Sequence, residues 1–284
     1  IPENVKSMIL DDVNDVKGIS EKVDFVFSAV NMTKDEIKAI EETYAKTETP
    51  VVSNNSAHRW TPDVPMIIPE INPEHAEVIK FQRKRLGTSR GFIAVKPNCS
   101  IQSYAPAFAA WREFEPYESI VTTYQAISGA GKNFNTWPEM IGNIIPYIGG
   151  EEEKSEKEPL RIFGKIQDGV IVPASEPVIS AQCVRVPVLY GHTAAAFVKF
   201  RKAPPSKEIL IENSILSFNI ILNSYLIFMP LGIHLLLIAL VVLVQLFHPL
   251  LFGHYQNLLI ISFHFVELLV ELKYLLHYHL LFLH

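Results

Sequence analysis

Residues 23–55 read "VDFVFSAVNMTKDEIKAIEETYAKTETPVVSNN", and the change of period inside them decides the fold. "VDFVFSAV" is a continuous apolar run of strand length. "TKDEIKAIEETYAKT" then places Ile37, Ile40 and Tyr44 at helical spacing, with Thr33 and Glu36 three residues apart as a capping box. "TPVVSNN" follows as a second short strand ending in polar residues. A strand, a helix and a strand in this order predict a βαβ unit with parallel pairing. Working outward, "PEHAEVIKFQRKRL" predicts a helix, "GFIAVKPN" a third strand and "SIQSYAPAFAAWREF" another helix. The expectation is an α/β, doubly wound domain whose ligands sit at the carboxyl ends of the strands, after "FSA", "VSNN" and "VKPN".

From about Tyr117 the texture changes. "SIVTTYQAISGAGK", "DGVIVPASEPVISAQCVRVPVLYG" and "HTAAAFVKF" are longer strand-like runs with fewer helices between them, and they predict a second, mixed α+β domain. "NTWPEMIGNIIPYIGG" reads as a helix or loop. "EEEKSEKEPLRIFG" reads as a polar helical stretch whose charge run, taken alone, is a solvated face. The expected division is 1–98 for the first domain, 99–213 for the second and 214–284 for an apolar tail.

The chain has 284 residues, a formal net charge of -5 and two cysteines. Without a basic stripe there is no reason to expect nucleic-acid binding. Cys99 and Cys183 form no disulfide framework and suit a reducing compartment, so a cytoplasmic protein is expected. The N-terminus "IPENVKSMILDD" has neither a methionine nor a signal-peptide core, and the chain reads as one that starts mid-protein.

Cys99 stands in "VKPNCSIQSYAPAF" (95–108), where a helix is expected to begin. A thiol at a helix N-terminus faces unpaired N–H groups that favour the thiolate. An isolated cysteine in an apolar neighbourhood is also a common core residue, so position alone leaves both readings open. Thiol catalysis needs a proton-handling partner. Outside the tail the histidines are His58, His75 and His192. His192 lies seven residues after Arg185 at a break between two apolar runs, while His58 and His75 are expected at the surface.

The words "KPNCS" (96–100), "YQAISGAGK" (124–132), "NIIPYIGGEEEK" (143–154) and "CVRVPVLYGHTAAAF" (183–197), in this order, resemble aspartate-semialdehyde dehydrogenase of the fungal and archaeal type. "SNNSAHRW" and "DVPMIIPEINPEH" resemble that family's first domain. The resemblance runs from about residue 20 to 213. It implies a Rossmann-like NADP-binding domain beside a mixed α+β substrate and dimerisation domain. It also implies NADPH-dependent reduction of L-aspartyl 4-phosphate to L-aspartate 4-semialdehyde with release of phosphate. By resemblance Cys99 is the nucleophile, His192 the general acid/base and Gln125 the group that orients the intermediate. Arg185 grips the substrate α-carboxylate, Glu151 meets the amino group, with the adjacent Glu152 as the alternative, and Lys154 and Asn98 meet the phosphate. Ser28, Ala29, Asn54 and Asn55 approach the dinucleotide. A homo-oligomer, dimer or tetramer, is implied, and no metal. Cys183 keeps a structural reading.

The chain departs from that pattern in two places. No GxTGxxG-like phosphate loop precedes Val23, and "SGAGK" at 128–132 belongs to the active-site words. After Ser214 the family's later words are absent. The charged residues of the tail are Glu267, Glu271 and Lys273, and it holds seven of the ten histidines. "YLIFMPLGIHLLLIALVVLVQLF" (225–247) is long and apolar enough for a membrane helix, and an intron or shifted reading frame is the competing, favoured explanation. N-acetyl-glutamyl-phosphate reductase, which shares the acyl-phosphate chemistry, is the neighbouring enzyme reading. A catalytically dead, membrane-attached relative is the third.

Overall fold

The computed structural model describes residues 6–204, 206, 209–210 and 260–261. The chain divides into two units, one of residues 1–98 and 160–174 and the other of residues 99–159 and 175–284. Residues 160–174, expected in the second domain, thus belong to the first unit. The segment 225–247, with its membrane and reading-frame alternatives, lies outside the described residues, and among those described no helix is long and apolar enough to cross a membrane.

The first unit carries a parallel sheet of β1 (Val26–Ser28), β2 (Val51–Ser53) and β3 (Ile93–Val95), in that order. After a short helix α1 (Val16–Ser20), the expected β1–helix–β2 unit forms with α2 at Lys34–Lys46. Its capping box closes as predicted: the Glu36 N–H donates to Thr33 Oγ1 and the Thr33 N–H donates to Glu36 Oε2. Such a cap contributes about 1 kcal/mol. Ile37, Tyr44 and Ala45 are buried beneath the helix, and so is Glu41. The strand is shorter than the apolar run 23–30, and Phe25 before it and Phe27 within it stay exposed. Helix α3 (Ile79–Leu86) fastens β3 through Gln82, whose amide donates to Ile93 O and whose oxygen accepts the Ile93 N–H.

His58 and His75, expected at the surface, are buried at 2% and 0% exposure. Each found polar partners that make burial tolerable. His58 Nδ1 meets Thr61 Oγ1, and His75 meets the Asn72 amide and the Gly164 carbonyl. Asn72 also donates to Met66 O and Ile162 O, so this cluster ties residues 160–174 into the unit. Arg161 does the same by donating to Thr61 O and Val64 O, and burial pushes its guanidinium down to about 10. The hairpin β5 (Lys165–Gln167) and β6 (Val170–Val172) turns on Asp168 and Gly169, both in the left-handed region that such a turn requires.

In the second unit α4 (Ala105–Ala110) precedes β4 (Pro116–Gln125), which lies between β7 (Val178–Arg185), parallel to it, and β8 (His192–Phe200), antiparallel. Ile260–Ile261 (β9) pairs with β8. Alternation along β4 buries Ser119, Val121, Thr123 and Gln125 on one face. It leaves Ile120 and Tyr124 exposed on the other, beside Phe197 of β8. Helix α5 (Glu151–Ile162) starts on the three glutamates. The charge run is more than a solvated face: Ser155 and Glu158 are buried, and Glu152 and Glu156 accept the main-chain N–H groups of Cys183 and Ala181.

Candidate active site

Register builds the second unit's site. Gln125, the last residue of β4, is paired with Arg185, the last residue of β7, and with His192, the first residue of β8. Three side chains from distant sequence words therefore start from one row across the sheet. Gln125 and Arg185 are buried, at 1% and 6% exposure. The Gln125 amide donates to Thr123 Oγ1 at 3.2 Å and to Glu151 Oε2 at 3.4 Å. Glu151 in turn accepts from Lys154 Nζ at 2.7 Å. The neighbouring Glu152 accepts the Cys183 N–H.

Cys99 is exposed, and its sulfur lies 3.2 Å from His192 Nε2. The continuous helix expected to start at Cys99 is absent. Cys99 caps a four-residue 3-10 turn, Ser100–Ser103, and α4 begins only at Ala105. Pro106 explains the break, since a proline is accepted in the first turn of a helix but not in its interior. The dipole argument for the thiol therefore weakens, and the His192 contact takes its place. Cys183 is buried against Ser155, and burial raises its thiol above the ordinary value, in keeping with a structural role.

Two main-chain features of this site carry no sequence signature. Ala126 donates its N–H to His192 Nδ1 at 3.1 Å, and its carbonyl accepts from Arg185 Nη1 at 2.8 Å and from the Gly129 N–H at 3.1 Å. Gly129 leaves room for both side chains: a β-carbon there would stand 2.9 Å from Arg185 Nη1 and 2.9 Å from His192 Cε1. Burial pulls the Arg185 guanidinium below its ordinary value, opposed by the charges of Glu151 and Cys99.

The residues expected to meet the dinucleotide lie in the first unit. Ser28 ends β1, and Asn54 and Asn55 follow β2, at the carboxyl ends of parallel strands. The Asn55 amide donates to Ser28 Oγ and to Glu41 Oε1, and the Asn54 N–H donates to Ser28 O. Ala29 and Asn54 are exposed. Small and polar groups at this edge fit one border of a dinucleotide site. The other acceptor of Glu41, Oε2, is buried without a hydrogen-bond partner behind them. Asn98, also in the first unit, is buried. Among the described residues no cluster of three or more His, Cys, Asp or Glu side chains could hold a metal ion.

Residues 1–79 match the model for the semialdehyde dehydrogenase NAD binding domain, and residues 105–214 match that for the semialdehyde dehydrogenase dimerisation domain. The chain is 41% identical over 203 residues to an aspartate-semialdehyde dehydrogenase of Methanothermobacter thermautotrophicus, covering 70% of this chain and 56% of that protein. It is 36% identical over 221 residues to one from Cryptococcus neoformans, covering 75% and 60%. The crystal structure of aspartate semialdehyde dehydrogenase with NADP from Candida albicans superposes with a TM-score of 0.65 at 32% identity, covering 75% of this chain and 61% of that one. A form II enzyme from Vibrio cholerae, complexed with ASA, gives 0.53 at 25% identity, covering 68% and 60%. The chain thus spans little more than half the length of the relatives it matches.

Proposed function

The chain belongs to the semialdehyde dehydrogenase family, and from that membership we propose that it carries the catalytic centre for NADPH-dependent reduction of L-aspartyl 4-phosphate to L-aspartate 4-semialdehyde. The observation that carries the reading is the 3.2 Å contact between Cys99 Sγ and His192 Nε2, set beside Gln125 and Arg185 by strand register. Cys99 attacks the acyl phosphate carbonyl, a C–S bond forms, and phosphate leaves with the C–O bonding pair. The reduced nicotinamide supplies a hydride when bound. His192 handles protons at the reacting centre, and Gln125 holds the thioester oxygen or its neighbour by hydrogen bonding.

Arg185 receives the substrate α-carboxylate, for which a planar fork of donors is the fitting chemistry. Its anchoring to Ala126 O fixes the direction of that fork. Glu151 takes the substrate amino group, and Lys154 and Asn98 take the phosphate. Ser28, Ala29, Asn54 and Asn55 border the cofactor. The division at residues 98 and 99 separates the residues given to the cofactor from those given to the substrate, except that Asn98 of the first unit joins the phosphate-binding set, with 214–284 as a separate tail.

The partner is a second copy of the chain. The supporting observations are the match to a dimerisation domain over 105–214 and the exposed apolar face of Ile120, Tyr124, Val178 and Phe197. A cytoplasmic location is in keeping with two free cysteines.

The test is phosphate-dependent oxidation of aspartate semialdehyde with NADP, and its reverse, in the chain and in Cys99→Ala. Activity lost in the variant supports the reading. Unchanged activity in the variant, or preference for an N-acetyl-glutamyl substrate, sinks it.

A further inference from the structure

His192 is held through both ring nitrogens, and the two contacts differ in kind. Nδ1 faces the Ala126 main-chain N–H at 3.1 Å, and Nε2 faces Cys99 Sγ at 3.2 Å. A peptide N–H only donates, so Nδ1 keeps its lone pair. A neutral imidazole carries one hydrogen, which then sits on Nε2 and points at sulfur. We infer that the Ala126 N–H is a positioning group that holds His192 as the neutral Nε2–H tautomer, so that His192 acts on Cys99 as a hydrogen-bond donor and not as the acceptor of the thiol proton. This rests on Cys99 being the attacking thiol proposed above.

The surroundings point the same way. An imidazolium would place a second hydrogen on Nδ1, directed at the Ala126 N–H. The guanidinium of Arg185 adds a like charge: its Nη1 and His192 Cε1 both lie 2.9 Å from the point where a Gly129 β-carbon would stand. The carboxylate of Glu151 is engaged by Lys154 and Gln125. Ala126 itself has φ -65° and ψ 152°, an unstrained extended backbone, and its side chain is fully buried. The same residue aims Arg185 through its carbonyl, so one short piece of main chain orients both side chains.

The chemistry balances without His192 gaining a proton during acylation. Cys99 is exposed, so its thiol proton leaves to water. The Nε2–H donates to the thiolate. As the sulfur pair becomes the C–S bond, the carbonyl π pair moves onto oxygen, and the same N–H turns to that oxygen. Collapse returns the pair to carbon and expels phosphate with its bonding pair. A thiolate–imidazolium pair, in which the histidine takes the thiol proton, needs the opposite tautomer.

The experiment is nitrogen NMR on the full chain labelled with 15N-histidine, with His192 assigned by loss of its signals in His192→Asn. Near neutral pH, His192 should show a pyridine-type Nδ1 and a pyrrole-type Nε2, before and after Cys99 is capped with iodoacetamide. Replacing Ala126 by lactic acid through nonsense suppression turns its N–H into an ester oxygen. Nδ1 can then carry a hydrogen, so His192 should take the thiol proton as an imidazolium and, once Cys99 is capped, discharge to the Nδ1–H tautomer. Ala126→Gly keeps the N–H and should keep the original spectrum. An imidazolium in the unmodified chain that discharges on capping would overturn the inference, as would an Nδ1–H tautomer. The spectrum is read without substrate, so failure of the proposed reaction and failure of the tautomer are separate results.

Discussion

Gly129 approaches the edge of the His192 ring so closely that a β-carbon there would lie 2.9 Å from Cε1 and 3.1 Å from Nε2, with Arg185 Nη1 also at 2.9 Å. The atoms it would strike are the ends of side chains, which can swing aside at little cost in stability. They are also the atoms proposed to do the chemistry. Gly129→Ala should therefore leave the melting temperature nearly unchanged while kcat/KM falls about a hundredfold, as misplacement of reacting groups by an ångström does. Gly129 is exposed and needs no left-handed backbone, so a large loss of stability would show that its role is structural instead.

Arg185 and His192 start from the same row of the sheet, yet their assigned tasks differ, and kinetics separates them. Arg185→Lys replaces a bidentate fork by a point charge. KM for the semialdehyde should rise about tenfold or more with kcat changed little. His192→Asn removes the proton-handling ring and should lower kcat by about a hundredfold or more with a small change in KM. The opposite partition in steady-state measurements would mean that the two roles are exchanged.

The first unit was legible because its signal is a period. The alternation of apolar runs with a 3.6-residue helix and a capping box leaves little choice but parallel strands, and β1, α2 and β2 form within the predicted stretch. The failures have physical causes. The stretch after Cys99 reads as one helix only if Pro106 is overlooked, but Pro106 cannot sit inside a helix, and the turn at Ser100–Ser103 is the result. His58 and His75 were expected at the surface because polar residues usually are. His75 is buried by the carbonyl of Gly164, 89 residues away, a partner that no local pattern announces. The roles of Ala126 and Gly129 are main-chain or missing-atom effects. Nothing in an Ala-Ile-Ser-Gly string distinguishes a peptide that aims an imidazole from one that does not.

The exposed face of the second sheet offers a prediction on assembly. Phe197 is 64% exposed and Ile120 56%, and the two are direct cross-strand partners. A two-fold interface repeats each change on both copies. Ile120→Asp combined with Phe197→Asp should therefore weaken self-association by about a hundredfold or more, read by sedimentation equilibrium, with the circular dichroism spectrum retained. Self-association unaffected by this pair would place the interface on another surface.

Glu48 sets a pH dependence whose sign can be worked out. Its carboxylate accepts the main-chain N–H groups of Ser89, Arg90 and Gly91, and these bonds, Ser89's first, pull it from 4.5 down to about 2. Charge-assisted bonds favour the ionised form, so the unfolded chain takes up the proton at a higher pH than the folded one. The contribution of Glu48 is therefore fully present above about pH 5 and is lost as the pH falls towards about 2. Glu48→Gln keeps the size of the side chain and inherits the same left-handed backbone at φ 65°, so backbone strain does not enter the comparison. The variant should melt below the parent at pH 7, and the gap should narrow steadily between about pH 5 and about pH 2 as the parent's carboxylate takes up its proton. A gap that stays constant over that range would show that the carboxylate's charge contributes nothing, and that the loop is held by shape alone.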